Sequence, residues 1–306
     1  MSHQWMILAI APCIMVAASP ADAATSFSKL VPADAKGRVQ VSNVSGDITI
    51  TAWDRREVDV QGEYGTGIER IDVAQNGGDV QVKVIYKDRG WLDRNGWRDS
   101  DVQLQVKVPV EAELEASTVS GTIVVNGARG EQRLKSVSGD VRSDVVGTEV
   151  NATTISGLVD LTGTGKEVHV RASSVSGDVR LRRMGGDIEV RSTSGDVDVE
   201  VNAATDVHGS VVSGSLSMRG TLAPEAEVDV SAVSGRLRLT AQAPAGFRYD
   251  VTTFSGNVRN CFGAEPEADG YRRNWNPGTR LIGKRGEGRA SIRARSHSGS
   301  VELCDR

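Results

Sequence analysis

A Ser-Gly pair recurs along nearly the whole chain, and this recurrence constrains the fold more than any other feature. Its glycines are Gly46, Gly121, Gly139, Gly157, Gly177, Gly195, Gly214, Gly235, Gly256 and Gly299. From Gly121 to Gly256 the steps are 18, 18, 20, 18, 19, 21 and 21 residues. So small a drift means one structural unit per step, with slack only in its turns, and a chain of stacked units. Two positions after the glycine stand Ile48, Ile123, Val141, Val159, Val179, Val197, Leu216, Leu237, Val258 and Val301, all aliphatic. Two positions before it stand Val44, Val119, Val137, Ile155, Val175, Thr193, Val212, Val233, Phe254 and His297, eight of ten apolar. Both rows are expected to point inward as ladders.

Beyond the turn, apolar and polar residues alternate, as in Gly177-Asp-Val-Arg-Leu-Arg and Gly195-Asp-Val-Asp-Val-Glu. That is the period of a strand with one buried face, and a one-residue slip would turn the face outward, so the register is specified. The third position after glycine runs Arg142, Asp160, Arg180, Asp198. In parallel strands about 4.8 Å apart these become opposite-charge neighbours, each pair contributing a few tenths of a kcal/mol. The expected fold is all-β, a parallel β-helix or solenoid with coils of 18 to 21 residues. The recurring serine is read as a corner residue, since glycine accepts positive φ and the hydroxyl can bond nearby backbone. No G-x-S-x-G elbow surrounds it.

Composition narrows the partners. The chain of 306 residues is 39% hydrophobic but only 4% aromatic, with 34 glycines and 8 prolines, a profile that suits stacked β-turns packing small aliphatic side chains. A net charge of -4 with both signs interspersed offers no basic face for a phosphate backbone, so nucleic acid is not an expected partner. The apolar run from Met6 to Ala18, followed by Ala21-Asp22-Ala23, predicts a signal peptide over 1–23 with cleavage after Ala23. The n-region has no Lys or Arg, which leaves an uncleaved anchor as the alternative. Residues 24–306 hold no apolar stretch of about 20 residues, and are expected to form one soluble, exported solenoid domain, periplasmic or at the cell surface.

Two departures interrupt the repeat. Between Gly46 and Gly121 lie strand-like pieces and a polar segment near 87–101, and between Gly256 and Gly299 lies a second expected insertion near 263–288. Cys261 stands five residues after Gly256 and Cys304 five after Gly299, so if these units are neighbours, equivalent positions fall within the roughly 4.4 to 6.8 Å that a disulfide requires. The spacing predicts a Cys261–Cys304 bridge tying the final coil to the one before it; two reduced buried thiols are the alternative. The insertions place Trp91, Trp97, Tyr271 and Trp275 among charged residues. Such rings either contact a ligand, stacking on sugars or anchoring a partner protein, or fold back as caps over the solenoid.

Val44-Ser-Gly-Asp-Ile-Thr-Ile-Thr-Ala-Trp-Asp, Val108-Pro-Val-Glu-Ala-Glu-Leu-Glu-Ala-Ser-Thr-Val-Ser-Gly and the repeated Ser-Val-Ser-Gly-Asp-Val-Arg resemble a family of exported bacterial adhesin-like proteins, a domain without assigned function. The resemblance covers nearly all of the chain after the signal. It implies a single-stranded, right-handed β-helix at the cell envelope, and it implies no catalytic residues.

The residues themselves offer one enzymatic alternative. Asp140, Asp160, Asp178, Asp196 and Asp198 could line one face of a polysaccharide lyase or hydrolase, but acids repeated in every unit read more simply as turn residues and a solvated ladder. Stacked Asp178 and Asp196 could at most attract a weak calcium ion, and the nonapeptide of calcium-binding β-rolls is absent. His169, His208 and His297 sit in no zinc-binding pattern. The sequence therefore predicts a protein with no cofactor and no metal. It would be a non-catalytic, adhesin-like or structural solenoid binding a glycan, a surface or an envelope protein, with a carbohydrate-active enzyme and a periplasmic signalling partner as alternatives.

Overall fold

The computed structural model of the chain describes residues 24–87, 101–264, 267–268 and 278–305. The expected signal segment, nearly all of the expected insertion at 87–101 and the middle of that at 263–288 lie outside these. Among the described residues the protein is all-β with no helix, and its strands form one continuous, solenoid-like sheet. The repeat unit is a strand, a Ser-Gly corner and a second strand. Gln132–Ser138 and Val141–Val145 flank Gly139, Glu113–Ser120 and Ile123–Asn126 flank Gly121, and Glu149–Ser156 and Val159–Gly163 flank Gly157. Like positions pair in parallel: Leu134 stands between Ala116 and Ala152, and Val141 between Ile123 and Val159.

The corner explains why glycine recurs. A Cβ added to Gly157 would lie 2.3 Å from the carbonyl oxygen of Gly139, and one added to Gly195 would lie 2.3 Å from that of Gly177. Both backbones also have positive φ, 152° and 146°. Each Ser-Gly backbone is thus packed directly on the one before it, in a conformation that L-side chains avoid.

The row two positions after glycine forms the expected ladder, each of its ten members at most 3% exposed. The row two positions before glycine does not. Val44, Val119, Val137, Ile155, Val175, Val212, Val233 and Phe254 are between 42% and 51% exposed and point outward. The inward place near the corner belongs to the residue one step earlier, where Thr118, Ser136, Thr154, Ser174, Ser192 and Thr253 are buried. The cause is the strand period of two: Leu134 inward requires Ser136 inward and Val137 outward, and the corner then resets the phase so that Val141 is again inward. Room beside the corner is short, and Thr154 Oγ1 donates to the Gly139 carbonyl at 3.1 Å.

The ends of the stack depart from chain order. Gly46 and Gly121 belong to touching coils, with Ile48 paired to Ile123. The chain between them builds a further coil on the opposite side of the Gly46 coil: Asp79–Tyr86 pairs with Arg38–Ser42, and Val102–Pro109 with Ile48–Trp53. No Ser-Gly pair occurs in the sequence between these two strands. At the other end Ala290–Cys304 enters between the Gly235 coil and the Gly256 coil. The last coil in sequence is therefore penultimate in space, and the Gly256 coil is terminal. Antiparallel strands cover both ends: Ile68–Asn76 and Glu57–Tyr64 at one, Thr279–Gly286 at the other. They carry charge, as in the Arg70–Asp72 pair, which discourages further strand addition.

Gly195→Ala is expected to destabilise the protein by about 3 kcal/mol or more, from positive φ and backbone overlap together. Gly77, at φ 63° with nothing within 4 Å of an added Cβ, isolates the first effect, and Gly77→Ala should cost only about 1 kcal/mol. Equal shifts in the denaturant midpoint would remove close backbone approach as the reason for the repeat.

Candidate functional site

The carboxylates that could have formed a catalytic cluster are engaged by the fold. An Asp directly after the Ser-Gly pair accepts the backbone N–H of the matching residue in the next coil: Asp47 from Thr122 at 2.8 Å, Asp140 from Leu158, Asp178 from Asp196 and Asp196 from Ser215, each at 3.0 Å. The remaining two acids are ion-paired, Asp160 with Arg182 at 3.0 Å and Asp198 with Arg219 at 3.0 Å. Arg142, Asp160, Arg180 and Asp198 do stack in register. Their closest ion pairs run elsewhere, however, with Arg142 turning back to Asp140 at 2.6 Å and Arg180 to Asp178 at 3.5 Å. Asp178 and Asp196 stand at equivalent positions on adjacent coils, the Asp178 carboxylate accepting the Asp196 N–H.

A depression of about 580 Å³ lies beside Arg183, Asn202, Arg219 and Thr221; its one carboxylate, Glu200, pairs with Arg219 at 3.2 Å. His169 and His208 lie on the outer face against Asp187 at 2.6 Å and Asp206 at 2.8 Å, and His297 stacks on Phe254 with ring centroids 4.9 Å apart.

Trp91, Trp97, Tyr271 and Trp275 lie outside the described residues, but the base of the first insertion is described. The Tyr86 hydroxyl donates to Asn43 Oδ1 at 2.6 Å and accepts from the Ser45 N–H at 2.8 Å, and Ser45 Oγ donates to Asp101 at 2.5 Å. Burial pushes the Tyr86 hydroxyl pKa up against the opposing pull of the Ser45 and Val44 amides, keeping it protonated as a donor. Both ends of that segment are thereby fixed to the first Ser-Gly corner. Near the second insertion, Phe262 packs on Phe247 and Tyr249, and Arg285 lies 5.2 Å over its ring.

Cys261 and Cys304 form the expected disulfide, with Cα atoms 4.9 Å apart. It joins the terminal Gly256 coil to its inner neighbour, and the Cys261 N–H donates to the Leu303 carbonyl at 3.1 Å. The outermost strand there, Val258–Asn260, has only three residues.

The feature that sequence reasoning missed is the exposed row. The stacking order of the corner glycines is Gly46, Gly121, Gly139, Gly157, Gly177, Gly195, Gly214, Gly235, Gly299, Gly256. The outward row therefore runs Val44, Val119, Val137, Ile155, Val175, Thr193, Val212, Val233, His297, Phe254. Exposed serines, among them Ser120, Ser138, Ser156 and Ser176, border it on one side, and Ser117, Thr153, Ser173 and Ser231 border it on the other. This is a narrow, nearly uncharged apolar stripe along the length of the stack. The signal for it was present in the buried Ser and Thr one position earlier.

A solenoid-like all-β chain built on Ser-Gly corners is the class that the fold defines. The chain belongs to the Toastrack DUF4097 family, which it matches over residues 38–303. No curated protein matches it. It is similar to three solved structures: a "putative adhesin" from Bacteroides fragilis (12% identity, 92% of this chain and 98% of that one, TM-score 0.44), a "putative cell adhesion protein" from Clostridium sporogenes (9%, 93% and 100%, 0.22), and a "putative lipid binding protein" from Parabacteroides distasonis (11%, 91% and 96%, 0.33).

Replacing both cysteines with serine is expected to loosen the Gly256 end by about 2–4 kcal/mol for a sequence separation of 43. Amide exchange over residues 247–262 should speed up while residues 132–200 keep their protection. Uniform loss of protection would mean that the bridge holds the whole stack and not its end.

Proposed function

We propose that this protein is a non-catalytic, exported binding solenoid of the cell envelope, and that the stripe from Val44 to Phe254 is a contact surface. The observation that carries the reading is the contrast between the two rows of surface groups. The acids that might do chemistry are tied to backbone amides and arginines, whereas a row of branched aliphatic side chains, interrupted by Thr193 and ending in His297 and Phe254, is left facing water. A disulfide supports an oxidising location. In this reading residues 1–23 are a signal peptide, the mature coils of 18 to 21 residues wind right-handed, and the partner is a glycan or an envelope protein. Trp91, Trp97, Tyr271 and Trp275 are proposed as ligand contacts on the two insertions.

The test is binding of the exported protein to an array of envelope and host polysaccharides, with every bound glycan checked for cleavage. Binding without cleavage, weakened at least about tenfold by Trp91→Ala or Trp275→Ala or by lysine on the stripe, is the expected result. Cleavage products that vanish in Asp160→Asn or Asp198→Asn would replace this reading with that of a carbohydrate-active enzyme. Absence of binding to any glycan would move the partner to an envelope protein, as a signalling role requires.

A further inference from the structure

Resting on the reading of the stripe as a contact surface, we infer that its occupant is a second copy of this chain, docked stripe to stripe with the two stacks running parallel. Three observations point there. The first is area. At about 4.8 Å per coil the ten positions span roughly 43 Å, and a band about 15–20 Å wide over that length presents roughly 650–850 Å², close to the about 800 Å² per partner of a standard interface. The second is self-complementarity. From Val44 to Val233 the central row holds no charge, so nothing in it repels its own copy, and branched side chains in parallel register have the shape that interdigitates in dry sheet-on-sheet contacts.

The third observation is charge on the two flanks, and it favours one orientation. Two residues before the stripe stand Lys135, Arg191, which pairs with Glu189, and Arg295, which pairs with Asp229; three residues after it, past the corner, stand Asp47, Asp140, Asp178 and Asp196 and one cation, Arg236. A two-fold axis along the stripe lays each coil over its own counterpart and exchanges the flanks. Lys135 then approaches the second copy's Asp140, and Arg191 the second copy's Asp196. A two-fold axis across the stripe would instead set Asp178 against the second copy's Asp196 and bring together only Asp140 and the second copy's Arg236 as opposite charges. The parallel arrangement places more opposite charges together and no like charges, and such pairing fixes orientation more than it adds affinity.

The test is sedimentation equilibrium of the protein purified from the exported fraction of cells expressing the full chain. A dimer at micromolar concentration is expected. Ile155→Lys and Val175→Lys should each weaken it at least about 100-fold while leaving circular dichroism and Tm unchanged, because both side chains already face water. Val137→Cys alone should then form a disulfide-linked homodimer under mild oxidation. Cross-linking only after mixing with a Val233→Cys chain would overturn the parallel arrangement. A wild-type protein that stays monomeric at 100 μM, or a dimer indifferent to both lysines, would overturn the inference. If the lysines nevertheless abolish glycan capture by that monomer, the stripe remains a contact surface with another occupant. If they alter neither association nor capture, the stripe falls as a contact surface as well.

Discussion

Everything in this protein depends on the direct stacking of one Ser-Gly backbone on the next. The glycine N–H donates to the serine carbonyl of the neighbouring coil, as from Gly139 to Ser156 at 2.9 Å and from Gly46 to Ser120 at 2.8 Å. The following aspartate then takes the next free amide across the same gap. A side chain on the glycine would hold the backbones apart and break both contacts. The corner thus works as a register device: once it is seated, every residue a fixed number of positions away is stacked on its equivalent, and the rows of aliphatic, hydroxyl and charged side chains follow without further specification.

Much of this was legible in the sequence, and the limits have physical causes. The row beginning with Ile48 and Ile123 could be read because strict alternation resumes directly after the glycine. The row beginning with Val44 and Val119 faces water although it is apolar, because apolarity alone does not imply burial, a rule that holds in one direction only. Tracing the period of two from Leu134 through Ser136 would have placed Val137 in solvent. The cysteines succeeded where the valines failed, since equal offsets from two corners imply stacking whichever face is involved.

The ends were less readable, because neighbours in this fold are chosen by hydrogen-bonded edges and not by chain order. The coil made of Asp79–Tyr86 and Val102–Pro109 lacks the corner that identifies the others, so its strands were visible but their place in the stack was not. The exchange of order at the Gly256 end arises because Ala290–Cys304 pairs on both of its edges. An isolated terminal edge is the weak point of any open stack, and here the antiparallel strand Thr279–Gly286 and the disulfide both act on it.

The same geometry that makes the fold repetitive makes its surface one-dimensional. Parallel in-register rows set like positions at a fixed spacing along the stack, as Arg142, Asp160, Arg180 and Asp198 show. Recognition that adds a similar increment per coil suits such a face. A surface of this kind gains affinity by length, and the partner that best matches its length and its spacing between coils is another stack of the same coils.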